Sequence, residues 1–247
     1  MIHSILMIGQ SNMAGRGKLG EVEPINNPKI KVMRNGRWQP MFYPVNPDRP
    51  WAGHSLAESF ADEYSKAHPD VEVGLIPCAD GGTPITMWAE GSILFDHAVF
   101  MTKLAKRTSE VAAIIWHQGE GDCRRGDYPL YEERLTSFIK AFRRAAEVED
   151  IPFIIGGLGD FLIRRDDYEL ENYTHINDAM KGAAAKLAGV AFVSAEGLES
   201  NPDNLHFSSA SLRELGVRYY RAFEPLEATL SADEKDSCGE RSTMERL

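Results

Sequence analysis

The chain has 247 residues, and its 43% hydrophobic and 26% charged residues are typical of a globular protein, which excludes general disorder. The formal net charge of −10 argues against a broad nucleic-acid surface, because phosphate binding needs clustered lysine and arginine. No apolar run approaches the roughly 20 residues that a membrane-spanning helix needs, whereas sugars, esters and other small ligands are compatible with this composition.

In chain order, short runs rich in valine and isoleucine predict five strands, at residues 5–8, 71–76, 112–116, 153–156 and 190–193. Amphipathic stretches between them predict helices at residues 56–67, 95–106, 130–146, 174–187 and 210–230. Alternation of this kind with short links is typical of βαβ units. We therefore predict an α/β domain with a five-stranded, mainly parallel sheet that is covered by helices on both faces.

Two further segments lie outside this alternation. Residues 29–33 and 38–41 flank Asn35-Gly36, which is the strongest short hairpin signal, and we expect a small hairpin that is an excursion from the main sheet. After Leu230 the sequence is polar and without period. The domain is therefore predicted to span residues 1–230, and residues 231–247 are expected to form a mobile tail.

The cysteines and the N-terminus bear on the compartment. The three cysteines form neither a CxxC pair nor a disulfide framework, which favours a reducing, cytoplasmic environment. Residues 1–9 are apolar but have no basic leader and no small-residue cleavage site, so they predict a first strand rather than a signal peptide. A secreted mature form that has lost its leader is the alternative.

A polar segment follows the first predicted strand, and parallel α/β sheets bind ligands beyond the carboxyl ends of their strands. Gly9 allows a sharp turn that presents Ser11 at the sheet edge, where a serine can be a nucleophile. The alternative is that Ser11 caps the helix that follows. The Gly-x-Ser-x-Gly elbow does not fit, because Met13 stands where its second glycine would be.

The segment after the second strand contains Gly81, Gly82 and Thr83. Paired glycines let the backbone approach a ligand closely and point an N–H at it, although a loop that simply needs glycine is the alternative. A phosphate cradle fits poorly, since no Gly-Lys-Ser/Thr follows. Trp88 either walls a sugar pocket or packs in the core.

The third strand is followed by a burst of polar residues, which is costly unless these groups face water or one another. Gln118 can offer its side-chain amide to a developing oxyanion, and Glu120 is expected to be a buried hydrogen-bonding partner for the loops. His117, Glu120, Asp122 and Cys123 match no established metal spacing. A metal site is therefore disfavoured.

The segment after the fifth strand places Asp203 three residues before His206. On a turn, this spacing lets the carboxylate accept a hydrogen bond from one imidazole nitrogen and leaves the other free to take a proton from a hydroxyl. The alternative is a loop in which Ser208 caps the next helix and His206 faces solvent.

The four segments together, in this order, resemble those of the SGNH (GDSL-type) hydrolase superfamily. Within it the chain is most similar to the sialate O-acetylesterase and acetylxylan esterase group, carbohydrate esterase family six, over about residues 1–225. The resemblance implies a flavodoxin-like, three-layer α/β/α sandwich and a serine esterase that needs no metal or cofactor. His117 and Asn204 depart from the pattern, in which tyrosine and glycine are common.

Carried onto this chain, the resemblance implies that Ser11 is the nucleophile, His206 the base and Asp203 its orienting acid. The implied oxyanion donors are the backbone amides of Ser11 and Gly82 and the side chain of Gln118. The residues expected to support this site are Gln10, Asn12 and Glu120. Candidate substrate contacts on flanking loops are Arg16, Trp51, His54 and Trp88.

We therefore predict an enzyme that removes O-acetyl groups from carbohydrates, with a small-molecule or oligosaccharide ester as its substrate and neither nucleic acid nor membrane as a partner. The net negative charge slightly favours neutral acetylated xylan over anionic sialic acid. The alternatives are a sialate O-acetylesterase and a non-catalytic carbohydrate-binding protein on the same fold. A nucleotide-binding protein would need a phosphate loop after the first strand, which residues 10–14 do not provide.

Overall fold

A computed structural model describes residues 1–124, 126–165 and 169–244, with side chains described through residue 229. Its strands are β1 (Ile2–Gly9), β2 (Ile30–Arg34), β3 (Arg37–Pro40), β4 (Glu72–Pro77), β5 (Glu110–His117), β6 (Phe153–Gly156) and β7 (Val190–Val193). They form one sheet in the order β3-β2-β4-β1-β5-β6-β7. All pairings are parallel except that of β2 with β3, which confirms the predicted mainly parallel sheet.

Over the described residues the sheet has seven strands rather than the predicted five, and the difference lies in the hairpin. The prediction that the hairpin stands apart from the main sheet is wrong, because β2 pairs in parallel with β4 through residues 30–32. This pairing buries Ile30 and Val32 completely, so the hairpin removes its own apolar residues from water by extending the sheet. Asn35 and Gly36 form its turn with φ values of 51° and 70°, as the Asn-Gly signal predicts.

Helices cover the sheet to give a three-layer α/β/α sandwich. They are α1 (Ser11–Ala14), α2 (Leu56–Ala67), α3 (Ile93–Ala105), α4 (Tyr131–Ala146), α5 (Tyr173–Lys186) and α6 (Ser209–Met244). α2 packs against α6, while α4 packs against α3 and α5. Within the ranges that the structure describes, no helix combines the length and the apolar character needed to cross a bilayer.

The C-terminal helix extends beyond the predicted domain limit. The backbone of α6 is helical from Ser209 to Met244, so the boundary proposed at residue 230 does not coincide with a helix end. Residues 245–247 of the expected tail lie outside the described residues. The mobility of residues 231–247 stays a prediction.

Burial explains why the strands were recognisable from the sequence. Ile5, Leu6, Met7 and Ile8 of β1 are all fully buried, since β1 lies at the centre of the sheet between β4 and β5 with a helix layer on each side. A strand covered on both faces is apolar at successive positions. Because β1 is central, its carboxyl end lies at the cavity that holds the candidate active site.

Candidate active site

The carboxyl ends of β4, β1 and β5 bring three of the predicted segments together, because these strands are neighbours in the sheet. Ser11 begins α1 directly after β1. The turn between them requires Gly9, which has a φ of +131° and where a Cβ atom would lie 2.1 Å from the carbonyl oxygen of His117. A cavity of about 340 Å³ opens at this edge and is lined by Gln10, Ser11, Gly82, Glu120 and His206 among others.

Ser11, His206 and Asp203 form one hydrogen-bonded chain at this cavity. The Ser11 Oγ lies 3.0 Å from His206 Nε2, and His206 Nδ1 lies 2.6 Å from Asp203 Oδ2. The other oxygen of Asp203 accepts hydrogen bonds of 3.0 Å from the backbone N–H groups of Leu205 and His206. This arrangement orients the imidazole so that Nε2 can take the proton of the Ser11 hydroxyl.

The environment sets the charge states of the imidazole and the carboxyl group. Burial lowers the pKa of His206 below its usual value, although the hydrogen bond that His206 donates to Asp203 opposes this shift. Burial raises the pKa of Asp203, but the hydrogen bonds that its carboxyl group accepts from the backbone of His206 and Leu205, together with the His206 side chain, outweigh it and bring that pKa below its usual range. Near neutral pH, Asp203 is therefore ionised and His206 is neutral, which is the form that accepts a proton.

Asn12 ties the helix that carries Ser11 to the loop that carries His206. Its Oδ1 accepts a hydrogen bond from the N–H of Phe207 at 3.1 Å. Its Nδ2 donates to Oε1 of Glu120 at 2.5 Å and to the carbonyl of Leu205 at 3.3 Å. The buried Asn12 side chain therefore fixes the distance between two segments that are far apart in the sequence.

Two backbone N–H groups at the cavity are free to bind an anion. Among the hydrogen bonds within the described residues, none is donated by the N–H of Ser11 or of Gly82. Gly82 has a φ of +80° and open space where a side chain would begin. The N–H of the neighbouring Gly81 donates to Asp48 at 2.9 Å, and its carbonyl accepts from Arg49 at 2.9 Å, so this turn is held rigidly.

Gln118 does not lie where the prediction of a direct oxyanion donor requires. It is fully buried and is not among the residues that line the cavity. Its Nε2 donates to Asp122 Oδ2 at 2.6 Å, to the carbonyl of Thr83 at 3.0 Å and to Gln10 Oε1 at 3.2 Å. Three acceptors already share its two N–H hydrogens, so Gln118 positions Gln10 and the turn at Thr83 instead.

Gln10 lies between Gln118 and the cavity. Its Oε1 also receives the N–H groups of Gly119 at 3.4 Å and Gly121 at 3.3 Å, so the amide oxygen faces the protein. Its Nε2 makes no hydrogen bond within the described part of the chain, and the residue lines the cavity. Gln10 therefore has the free side-chain donor that the family resemblance implies at Gln118.

The four candidate substrate contacts divide into two pairs. Trp51, which is 70% exposed, and Arg16 line the cavity. His54 and Trp88 do not line the cavity, so the prediction that they contact the substrate is wrong. His54 is buried against Glu58, with His54 Nδ1 3.0 Å from Glu58 Oε2, and Trp88 is fully buried with its indole ring edge-on to Trp116.

The group proposed as a weak metal alternative is not assembled for that purpose. The described residues contain no set of three or more His, Cys, Asp and Glu side chains that could hold a metal ion. The carboxyl group of Asp122 instead accepts the N–H of Ile85 at 2.8 Å and the amide of Gln118.

Sequence reasoning missed Asp48 and Arg49, which belong to a proline-rich loop after the hairpin. Asp48 forms a buried bidentate pair with Arg16 at 2.9 and 2.7 Å, and Arg49 pairs with Asp80 at 2.8 Å. Both residues line or support the cavity. No local pattern marks them, because their partners lie about 30 residues away.

The three-layer fold, with its cavity at the carboxyl ends of the central strands, is the one expected for a hydrolase of the SGNH type. Residues 2–224 match the family of carbohydrate esterases described as sialic acid-specific acetylesterases. Because this match covers most of the chain, the protein belongs to that family and is a carbohydrate esterase.

Individual relatives agree with this assignment. The chain is similar to a probable carbohydrate esterase of Arabidopsis thaliana, with 27% identity over 243 residues and 88% of each chain covered. It superimposes on a crystal structure of an Arabidopsis thaliana protein with a TM-score of 0.78 at 27% identity, covering 90% of this chain and 97% of the other. The structure of NanS gives a TM-score of 0.74 at 20% identity, covering 90% of this chain and 96% of the other, and shares the fold.

Proposed function

We propose that this carbohydrate esterase removes O-acetyl groups from sugars with Ser11 as the nucleophile, His206 as the general base and Asp203 as the acid that orients His206. The observation that carries the proposal is the unbroken hydrogen-bonded chain from Asp203 through His206 to the Ser11 hydroxyl. A binding protein gains nothing from this chain, whereas acyl transfer to a hydroxyl depends on it.

The reaction proceeds in two steps, acetylation of Ser11 and hydrolysis of the acetyl-enzyme. His206 takes the proton of Ser11 as the Ser11 oxygen attacks the acetyl carbonyl carbon, and the carbonyl oxygen becomes an anion. The carbon–oxygen bond to the sugar then breaks, and His206 gives its proton to the departing sugar oxygen. Water attacks the acetyl-enzyme in the same way, which releases acetate and restores the Ser11 hydroxyl.

The anionic oxygen is bound by the free N–H groups of Ser11 and Gly82. The side-chain amide of Gln10 supplies the third donor, and Gln118 holds Gln10 in place. Donors that are fixed before the reaction stabilise charge that develops in the transition state without reorganisation, and the hydrogen bonds of Gln10 Oε1 and of the turn at Gly81 supply this rigidity.

A neutral acetylated sugar, such as an acetylated xylan fragment, fits the cavity best. The guanidinium groups of Arg16 and Arg49 are compensated by Asp48 and Asp80, so they offer no net charge to a sugar carboxylate. The exposed indole of Trp51 at the cavity provides an apolar face on which a sugar ring can stack.

An O-acetylated sialic acid is the second candidate substrate. It is favoured by the family description and by the arginines that line the cavity within the described part of the chain, Arg16, Arg49 and Arg124. Arginine binds carboxylates in a planar, bidentate manner, so a substrate carboxylate would have to displace one of the aspartate partners.

Acetate release from a panel of esters tests the proposal. The panel contains p-nitrophenyl acetate and butyrate, acetylated xylan and xylo-oligosaccharides, and O-acetyl sialic acid, each with the wild type and with Ser11→Ala. We expect acetyl esters to be preferred over butyrate, neutral sugars over sialic acid, and a folded but inactive Ser11→Ala variant. A Ser11→Ala variant with the wild-type rate would contradict the mechanism, and equal rates with butyrate would contradict the acetyl assignment.

A further inference from the structure

The two backbone N–H groups proposed to bind the oxyanion belong to peptide units that are held in different ways. The unit that ends in the N–H of Ser11 begins with the carbonyl of Gln10, which accepts two N–H groups of α1 at 3.0 and 2.9 Å. The first turn of the helix therefore fixes this unit. The unit that ends in the N–H of Gly82 begins with the carbonyl of Gly81 and lies in a turn, so its orientation depends on other contacts.

The pair of glycines makes this second peptide unit easy to reverse. Glycine has no Cβ atom to oppose rotation of the backbone, and Gly82, with a φ of +80°, has open space around the position of a Cβ atom. In a planar trans peptide unit the carbonyl and the N–H point in opposite directions. A reversed unit would therefore turn the N–H of Gly82 away and present the carbonyl oxygen of Gly81, which repels an oxyanion.

The side chain of Arg49 holds this peptide unit in one orientation. Its Nη2 donates a hydrogen bond of 2.9 Å to the carbonyl of Gly81. Within the described part of the chain, this is the one hydrogen bond made by the carbonyl of Gly81 or by the N–H of Gly82. Holding the oxygen directs the N–H of Gly82 to the opposite side. The positive charge on the guanidinium also polarises the peptide unit, which makes that N–H a better donor.

The guanidinium group of Arg49 is itself fixed by two acceptors. Its Nη1 donates to Asp80 Oδ1 at 2.8 Å and to the carbonyl of Asp48 at 2.8 Å. The carboxyl group of Asp48, which Arg16 holds from the other side, accepts the N–H of Gly81 at 2.9 Å. Two adjacent residues of one loop, Asp48 and Arg49, therefore bind the N–H and the carbonyl of the same glycine.

We propose that Arg49 is a positioning residue, which holds the peptide unit between Gly81 and Gly82 with its N–H directed toward the oxyanion. This inference rests on the proposed function, which assigns that N–H to the anion of the transition state. Arg49 also lines the cavity, where the alternative role for an arginine is to bind a substrate carboxylate. Binding a carboxylate would matter for anionic substrates alone, whereas positioning an oxyanion donor matters for every ester.

Loss of the Arg49 side chain should therefore lower kcat and leave KM nearly unchanged, because the oxyanion exists in the transition state and not in the bound ester. Removal of a whole oxyanion donor lowers kcat by about 10²–10³-fold. Without Arg49 the N–H of Gly82 is still present and reaches the productive orientation part of the time. We therefore expect a smaller loss, of roughly 10–10²-fold, and the same loss for charged and neutral esters.

The test compares kcat and KM of the wild type, Arg49→Met, Arg49→Lys and Arg144→Met on p-nitrophenyl acetate, acetylated xylo-oligosaccharides and O-acetyl sialic acid. Methionine keeps much of the apolar stem of arginine without its donors. We expect Arg49→Met to lose kcat equally on all three esters, and Arg49→Lys, which keeps one charged donor, to recover part of the loss. Arg144 is an exposed arginine paired with Glu90 at 2.9 Å and does not line the cavity, so Arg144→Met should match the wild type.

A wild-type kcat of Arg49→Met on p-nitrophenyl acetate would overturn the inference. A loss confined to KM for O-acetyl sialic acid would make Arg49 a substrate contact instead. A melting temperature of Arg49→Met far below that of Arg144→Met, together with an Arg49→Lys variant that is equally slow, would assign Arg49 to the stability of the fold.

Inhibition by methylboronic acid gives a readout that does not depend on turnover. Its boron binds the Ser11 oxygen to give a tetrahedral anion that resembles the transition state. We expect its inhibition constant to rise in Arg49→Met in parallel with the loss of kcat, and an unchanged constant would also overturn the inference. Failure of the proposed function is separate, since it requires an active Ser11→Ala variant.

Discussion

The side-chain amides of Gln10 and Gln118 have different tasks although they contact each other. Gln118 is enclosed by three acceptors, whereas the free Nε2 of Gln10 belongs to a residue at the cavity. An amide N–H that already donates to other acceptors stabilises a new oxyanion only weakly, because each new hydrogen bond must replace an existing one.

Gln10→Ala is therefore expected to lower kcat by about 10²–10³-fold, the usual loss for one oxyanion donor, with a smaller change in KM. Gln118→Ala should lower kcat less, since it loosens Gln10 without removing the donor. Steady-state kinetics on p-nitrophenyl acetate measure both variants. A larger loss for Gln118→Ala than for Gln10→Ala would return the role of donor to Gln118.

Trp51 is the residue-scale test of sugar binding. Because its indole is 70% exposed, Trp51→Ala should leave the melting temperature unchanged and raise KM for acetylated xylo-oligosaccharides by roughly 2–10-fold, the range of an aromatic contact of about 0.5–1.5 kcal/mol. KM for p-nitrophenyl acetate should change little. Phe100→Ala is the matched control, since Phe100 is 62% exposed on α3 and does not line the cavity. An unchanged KM for the sugar substrate would remove Trp51 from the binding site.

At the scale of elements, the sequence predicts helix and strand bounds well where these bounds depend on residues that are close together in the chain. The predicted bounds of α2, β6 and β7 coincide with the structure. Buried faces and helix caps, such as the Ser55–Glu58 capping box, depend on residues that are neighbours in the sequence. The pairing of β2 with β4 was not predictable in this way. It depends on a partner about 40 residues away and on which sheet edge is open.

The loop that carries Asp48 and Arg49 shows the same limit at the active site. It packs against the turn at Gly81 through side chains that have no local signature. The four segments that carry Ser11, Gly82, Glu120 and His206 were identified, and the structure brings them to one cavity. The orientation of Gln118 and the burial of Trp88 and His54 depend on three-dimensional packing, which spacing in the sequence does not encode.

Asp48 offers an element-scale prediction. It neutralises the buried guanidinium of Arg16 and holds the turn at Gly81. Asp48→Ala leaves a buried charge unpaired, so we expect a loss of about 3–5 kcal/mol in the free energy of unfolding and a lower kcat. Urea denaturation measures the first effect, with the exposed Asp178 as control, for which Asp178→Ala should stay within about 0.5 kcal/mol of the wild type. A loss for Asp48→Ala no larger than that of the control would contradict the structural role of the pair.

At the scale of the whole molecule, net charge and local charge give different information. The chain carries a formal charge of −10, yet three arginines of the described ranges line the cavity, and aspartates pair with Arg16 and Arg49. A substrate responds to the compensated local charge at short range, because distant surface charges are screened over about 8–10 Å in salt. The preference for neutral sugars therefore depends on these ion pairs more than on the overall charge.

The central claim is that Ser11, activated by His206, is the nucleophile of a serine esterase. Labelling with a serine-directed phosphonate, followed by peptide mass spectrometry, tests it most directly. We predict one label on Ser11 in the wild type, slow labelling of a folded His206→Ala variant, and none in Ser11→Ala. A label on another serine, or labelling of His206→Ala at the wild-type rate, would contradict the account.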